Sequence, residues 1–247
     1  MEKIKDKKVI EKLINIDKIG TLNAVNTMKY EKEWDIYVDN KVNPKGFVVN
    51  SRMWNIPFGE DDDVIISMLK GLDYSKEQNF AGVLKKYYDM VKDMKEIAWE
   101  EHCYLYYLDK ENLDLDNINH EVGSLDVQHV EILDKYYTYK DDESYNYIKE
   151  CIETRPSSAV FDENGEPISW CVLREDGTMG IMYTKKEHRG KGLAISVSVD
   201  LAKKVIDNGG VPYVHIVTDN NPSINLAETL GFKKYGEIVW FGVKAEK

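Results

Sequence analysis

The chain has 247 residues, with 33 Lys and Arg against 44 Asp and Glu, and a formal net charge of -11 at pH 7. Affinity for phosphate backbones comes from clustered cations, so this balance excludes a general nucleic-acid binder. Apolar residues make up 43% and charged residues 31%, as in water-soluble globular chains, with length for one large core or two modest ones.

Taken in order, Lys3 to Ile16 places Ile4, Val9, Ile10, Leu13 and Ile14 at helical spacing and predicts an amphipathic helix. Trp34 to Val38 and Gly46 to Trp54 read as strands, the second bounded by Asn-Pro and by Ile56-Pro57-Phe58-Gly59. A short helix opened by acids follows at Asp61 to Leu69, then a longer one from Phe80 to Ile97 with Leu84, Tyr87, Tyr88, Val91 and Met94 in register. His102 to Leu108 is a strand, and the Asn- and Asp-rich stretch Asp109 to Gly123 a linker. Two domains are expected, 1–122 and 123–247.

Beyond the linker, helices are predicted at Leu125 to Tyr137 and Ser144 to Glu153, the latter stopped by Arg155-Pro156. Strands Ser158 to Phe161, Ile168 to Arg174 and Thr178 to Thr184 follow, joined by the turns Asp162-Glu163-Asn164-Gly165 and Glu175-Asp176-Gly177. A helix from Gly192 to Asp207, a strand from Tyr213 to Thr218, a helix from Ser223 to Leu230 and a strand from Gly236 to Val243 complete the chain. Cys103, Cys151 and Cys171 have unrelated spacings and no CxxC partner, which fits buried thiols in a reducing compartment and argues against structural zinc; no metal is expected. The runs Glu60-Asp61-Asp62-Asp63 and Asp141-Asp142-Glu143 read as solvated helix starts. No apolar run suggests a signal peptide or a membrane span, so the expectation is a cytoplasmic protein without membrane contact.

The chemistry concentrates in one device: the strand ending at Thr184, the loop Lys185 to Lys191, and the helix that follows. A helix start carries backbone N–H groups without internal partners, at the electropositive end of the macrodipole. Gly190 and Gly192 remove the Cβ atoms that would hold a diphosphate away, while Arg189 and Lys191 add formal charge. The run has neither the GxxxxGK[ST] of a P-loop nor the third glycine of a dinucleotide fingerprint, and it follows hairpins rather than an opening βαβ unit.

The run Arg189-x-x-Gly192-x-Ala194 resembles the Arg/Gln-x-x-Gly-x-Gly/Ala signature of the GNAT superfamily. Asn220-Asn221-Pro222 through Leu230-Gly231-Phe232 resembles its second motif, an Asn-led helix ending in Leu-Gly-Phe. A narrower likeness, to glycine N-acyltransferase-like proteins, is carried by Leu125-Asp126-Val127-Gln128-His129, Tyr147 to Thr154, Gly165 to Trp170 and Glu187-His188-Arg189. The resemblance implies an α+β GNAT fold, a mixed and mostly antiparallel twisted sheet with flanking helices, preceded by a degenerate GNAT-like half. It implies acetyl-CoA or another acyl-CoA as co-substrate, transferring its acyl group in a ternary complex to a small amine such as an amino acid. Polyamine, amino-sugar and protein amines are alternative acceptors, and a non-catalytic acyl-CoA sensor is the rival from another class.

By position in that family, main-chain groups of Met182, Tyr183 and Thr184 pair with the pantetheine arm, residues Arg189 to Ala194, Leu193 included, hold the diphosphate, and Asn220 or Asn221 meets the same arm or the acceptor. Where the glycine acyltransferases place a Glu base this chain has Thr178, and where many GNAT enzymes place a tyrosine acid it has Ala227. Glu187 and Asp176 are the substitute bases, both expected on solvated turns, and Tyr183 and Tyr213 the substitute acids. Catalysis is then expected to rest on positioning more than on a strong base.

Overall fold

The computed structural model describes residues 1–246. Its elements are β1 (Glu2–Ile4), α1 (Glu11–Ile16), α2 (Leu22–Tyr30), β2 (Asp35–Val38), β3 (Gly46–Ser51), β4 (Trp54–Gly59), α3 (Asp62–Lys70), β5 (Gln78–Leu84), α4 (Lys85–Lys92) and β6 (Ile97–Tyr107). They continue as α5 (Val130–Lys135), α6 (Ser144–Thr154), β7 (Ser157–Phe161), β8 (Pro167–Leu173), β9 (Met179–Thr184), α7 (Leu193–Asp207), β10 (Tyr213–Val217), α8 (Asn221–Thr229) and β11 (Lys233–Val243). The chain divides into two compact units, one of Met1–Leu105, His215–Asn220 and Lys234–Lys247, the other of Tyr106–Val214 and Asn221–Lys233. The sequence offers a single boundary near residue 122, whereas the contacts first change unit inside β6 and return the last strand to the first unit.

The first unit is built on a sheet in the order β1-β2-β3-β4-β5-β11-β6-β10. Neighbours from β1 to β4 are antiparallel, and β5 pairs antiparallel with β11. The parallel pair β4–β5 holds only at Trp54 with Asn79 and Asn55 with Phe80. Where β4 and β5 part, the chain satisfies its own backbone: the Asn23 amide donates to the Ala81 carbonyl at 2.5 Å, and the Tyr87 hydroxyl accepts from Gly59 N at 3.0 Å and donates to Gly59 O at 3.2 Å.

Two predicted helices are corrected here. Residues Lys3 to Ile16 divide into β1, a 3-10 turn (Lys7–Ile10) and the short α1, because strand pairing of Lys3 with Tyr37 outweighs the helical spacing. Phe80 to Ile97 begins as β5, whose Phe80 stacks on Phe241 of β11 with ring centroids 4.5 Å apart, and only α4 is helical. Gly46 to Trp54 is a hairpin: β3 ends at Ser51, Arg52 takes φ 53, and Trp54 opens β4.

The second unit carries the three-stranded antiparallel sheet β7-β8-β9 between helices, α7 on one face and α5 with α6 on the other. Every residue of β8 is buried, which explains why Pro167-Ile168-Ser169-Trp170-Cys171-Val172-Leu173 shows little polar alternation. Trp170 and Val172 pack with Leu133, Ile148, Cys151 and Ile152, while Val197, Leu201 and Val205 supply the apolar flank of α7. No helix among the described residues is long and apolar enough to cross a membrane.

Candidate functional site

Strand β9 lies at the edge of its sheet and contains the irregularity that shapes the site. Trp170 faces Tyr183 and Val172 faces Gly180, so Ile181 and Met182 together stand opposite Cys171, a bulge. Ile181 takes φ 47, a conformation rare for a β-branched residue, and it is one of two non-glycine residues with positive φ among the described residues. The bulge interrupts the ladder to β8 at mid-strand and turns main-chain groups out of it. Tyr183 is fixed by stacking on Tyr136, centroids 4.7 Å apart at 21°, with Trp170 at 5.5 Å.

After Thr184 the chain is anchored by buried Lys185, ion-paired to Glu166, and makes a 3-10 turn at Lys186–His188. Arg189 donates from Nε to the Thr184 carbonyl at 3.1 Å, and its guanidinium carbon lies 5.4 Å above the Tyr183 ring. That leaves a fixed cation at the mouth of the loop. Gly190 and Gly192 have φ 74 and φ 80, so both need the left-handed region that glycine enters without a Cβ penalty. Gly192 is the N-cap of the 15-residue α7 and offers no side-chain cap, so its first N–H groups stay available to an anion.

A cleft of about 410 Å³ opens there. Its walls are Met182, Tyr183 and Thr184 from β9, His188, Arg189, Gly190 and Gly192 from the loop, Leu193, Ala194 and Ile195 from α7, and Pro222, Ser223 and Leu226 from α8. Most of the residues singled out for the loop thus meet at one place. Lys191 is exposed outside the wall, Asn221 opens α8 without entering it, and Asn220 belongs to the first unit, its N–H donating to Val217 O. Pro222, Ser223 and Leu226 were missed, although a proline in a helix's first turn was a usable signal. The Ile181 bulge had no sequence signal.

The first unit has a strand–loop–helix at the same point of its order, β4 into α3, with the opposite electrostatics. The Asp61 side chain accepts from Asp63 N and Val64 N, and Asp62 and Asp63 fill the first turn of α3. A self-capped, acidic helix start repels an anion. Of these two helix starts, only that of α7 lacks a side-chain cap.

The FR47-like protein family matches residues 159–241, which span β7 to β11. Glycine N-acyltransferase of Mus musculus is 30% identical over 118 residues, 47% of this chain and 40% of that protein, and the Homo sapiens enzyme of the same name 29% identical over 111 residues, 44% and 38%. Among solved structures, a Drosophila protein superposes with a TM-score of 0.81 at 14% identity, covering 100% of this chain and 99% of that one. A tandem GNAT protein from the clavulanic acid biosynthesis pathway does so with a TM-score of 0.63 at 11% identity, with the same coverage. The chain has the GNAT fold. The matched segment is about 40% of the length of these glycine N-acyltransferases.

Within this GNAT fold one of the acid–base candidates, Asp176, sits differently from expectation. Thr178 is 2% exposed and donates from Oγ1 to Asp176 Oδ1 at 2.6 Å, while its N–H reaches the same oxygen at 2.9 Å. Asp176 is itself 3% exposed, a correction to the solvated turn predicted for it, because Thr178 and the Tyr213 hydroxyl, which donates to the Asp176 carbonyl, fold the turn inward. Tyr213 is therefore tied into the fold. Ala227 is buried on α8, and Glu187 is exposed on the 3-10 turn, outside the cleft wall.

On the α5–α6 face, Arg174 crosses Gly180, where an added Cβ would fall 2.6 Å from its Cδ, and its Nε donates to the Tyr147 hydroxyl at 3.0 Å. Burial drives the Tyr147 and Tyr137 hydroxyls up, Tyr137 to about 12, so both stay protonated at neutral pH. Burial likewise pushes the Cys151 and Cys171 thiols up to about 12, which leaves them unsuited to nucleophilic work.

Proposed function

We propose that this chain transfers an acyl group from acetyl-CoA or another acyl-CoA to the amine of a small acceptor such as an amino acid, within a ternary complex. The observation that carries the reading is the uncapped start of α7, framed by two left-handed glycines and Arg189 at the end of an edge strand. Residues Arg189 to Ala194 would hold the diphosphate through backbone N–H groups and the α7 dipole. The free edge of β9 at Met182, Tyr183 and Thr184 would accept the pantetheine arm, whose amides can extend the ladder as a strand does.

The acyl carbonyl then reaches the bulge, where a preorganised N–H stabilises the oxyanion formed when the amine attacks. The C–N bond forms, the C–S bond breaks, the amine's proton passes to solvent water, and the sulfur departs as thiolate, which a thiol of ordinary pKa near 8.5 permits. With Thr178 and Asp176 buried and bonded to each other, and Ala227 apolar, rate enhancement rests on holding thioester and amine together. Those same residues favour the rival reading, an acyl-CoA sensor without turnover.

The test is calorimetry with CoA and acetyl-CoA, followed by thiol release from acetyl-CoA with a panel of amino acids and other amines. Micromolar binding with amine-dependent thiol release is expected. Binding without release by any amine would establish the sensor, and no binding would remove both readings.

A further inference from the structure

The linker assigned to Asp109 to Gly123 does more than connect. His120 Nε2 lies 2.8 Å from the Lys191 carbonyl oxygen, across 71 residues of sequence. A carbonyl only accepts, so the imidazole donates and its Nε2 carries hydrogen. One residue earlier, Asn119 N donates to Ser196 Oγ at 3.1 Å, and Ser196 is fully buried in the first turn of α7. The linker is thus pinned to the loop on one side of Gly192 and to the helix on the other.

Lys191 sits between Gly190 and Gly192, both left-handed. Glycine enters several backbone wells at similar energy, so the peptide joining Lys191 to Gly192 can rotate at its glycine end at little cost. In a trans peptide the C=O and N–H point in opposite directions. With the Lys191 oxygen held toward His120, the N–H of the same peptide is directed away from it, and its residue, Gly192, lines the cleft. A flipped peptide would instead aim a carbonyl oxygen at an anion. An added Cβ on Gly192 would lie 3.8 Å from His120 Nε2, with no other residue beyond its chain neighbours within 4 Å, so the imidazole abuts the side of that glycine where a side chain would stand.

We infer that His120 is a positioning residue for the nucleotide end of the acyl donor: its hydrogen bond to the Lys191 carbonyl fixes the Lys191–Gly192 peptide with its N–H toward the diphosphate. The inference rests on the acyl-CoA reading above. It names a device outside both GNAT motifs, supplied by a segment that sequence composition marks only as a connection. Preorganisation of this kind raises affinity by removing the cost of ordering the loop on binding.

The experiment uses the full chain and its His120→Ala and His120→Gln variants. Calorimetry measures CoA, and turnover is measured with acetyl-CoA and with acetyl-pantetheine, which has no diphosphate. Loss of one neutral hydrogen bond predicts a Kd for CoA raised about three- to tenfold in His120→Ala. The loss should appear in KM for acetyl-CoA rather than in kcat, and kcat/KM for acetyl-pantetheine should not move. Gln places an amide N–H near the imidazole Nε2 and should restore CoA affinity to within about twofold, less than one neutral hydrogen bond. Unchanged CoA affinity in His120→Ala, an equal loss with acetyl-pantetheine, or failure of His120→Gln to recover would each overturn the positioning role. A wild-type chain that binds no CoA would refute the acyl-CoA reading itself, a separate result.

Discussion

Replacement of Gly192 by Ala separates the loop's role in binding from its role in stability. Gly192 has φ 80 and ψ 1, and a non-glycine residue there costs about 1–2 kcal/mol. The new Cβ would meet only His120 Nε2 at 3.8 Å, an ordinary contact, so no clash inside the protein is added. Gly209, just beyond α7, has φ 72 and nothing within 4 Å of a Cβ, and it lies outside the cleft wall. Gly209→Ala therefore imposes the same backbone cost without touching the site. Both variants should lose about 2–8 °C in Tm, from about 2–4 °C per kcal/mol at this chain length.

Only Gly192→Ala should also weaken CoA, because the methyl group stands where the diphosphate approaches. A Kd raised about tenfold or more is expected, a loss of at least about 1.4 kcal/mol of binding that the Gly209→Ala control does not share. Calorimetry on both folded variants, alongside thermal scans, reads the two effects separately. A Gly192→Ala protein that is destabilised like Gly209→Ala yet binds CoA within twofold of wild type would show that the diphosphate does not lie on this loop.

Glu187→Gln should leave kcat/KM within about threefold, far short of the 10²–10⁴-fold typical of a general base, since Glu187 is exposed and outside the cleft; a collapse of activity would make it the base after all. Burial alone would raise the Asp134 carboxyl, but hydrogen bonds from Lys140 and Ser144 outweigh it and hold the group below its ordinary value. A depressed carboxylate contributes stability above its unfolded pKa near 3.9, and loses it as pH falls through the lower native value. Asp134→Asn should therefore be less stable than wild type at pH 7 in urea unfolding, with the gap narrowing below about pH 4; a gap constant with pH would refute the linkage. A fragment of residues 123–247 should aggregate, because it leaves β11 without both β5 and β6, a long bare strand; a soluble monomer with a cooperative transition would refute this.

The sequence by itself determined the second unit closely. Gly-marked turns, a proline stop at Pro156 and the apolar flanks of α7 are local signals, and the loop they frame needs glycine for backbone reasons that hold in any context. It also carried the resemblance that implied the GNAT fold, since Arg189-x-x-Gly192-x-Ala194 and the Leu230-Gly231-Phe232 turn are local motifs. Tertiary structure decided the rest. Helical spacing across Phe80 to Ile97 lost to a strand because Phe80 finds Phe241 some 160 residues later, a pairing no local window contains. The same is true of the hydrogen bond from His120 to Lys191, and of the left-handed Ile181, which no propensity would assign. Asp176 was legible as a turn residue but not as a buried one, because burial there depends on Tyr213 arriving from another strand. Local backbone chemistry is written residue by residue, whereas contacts between distant segments exist only once the chain has closed on itself.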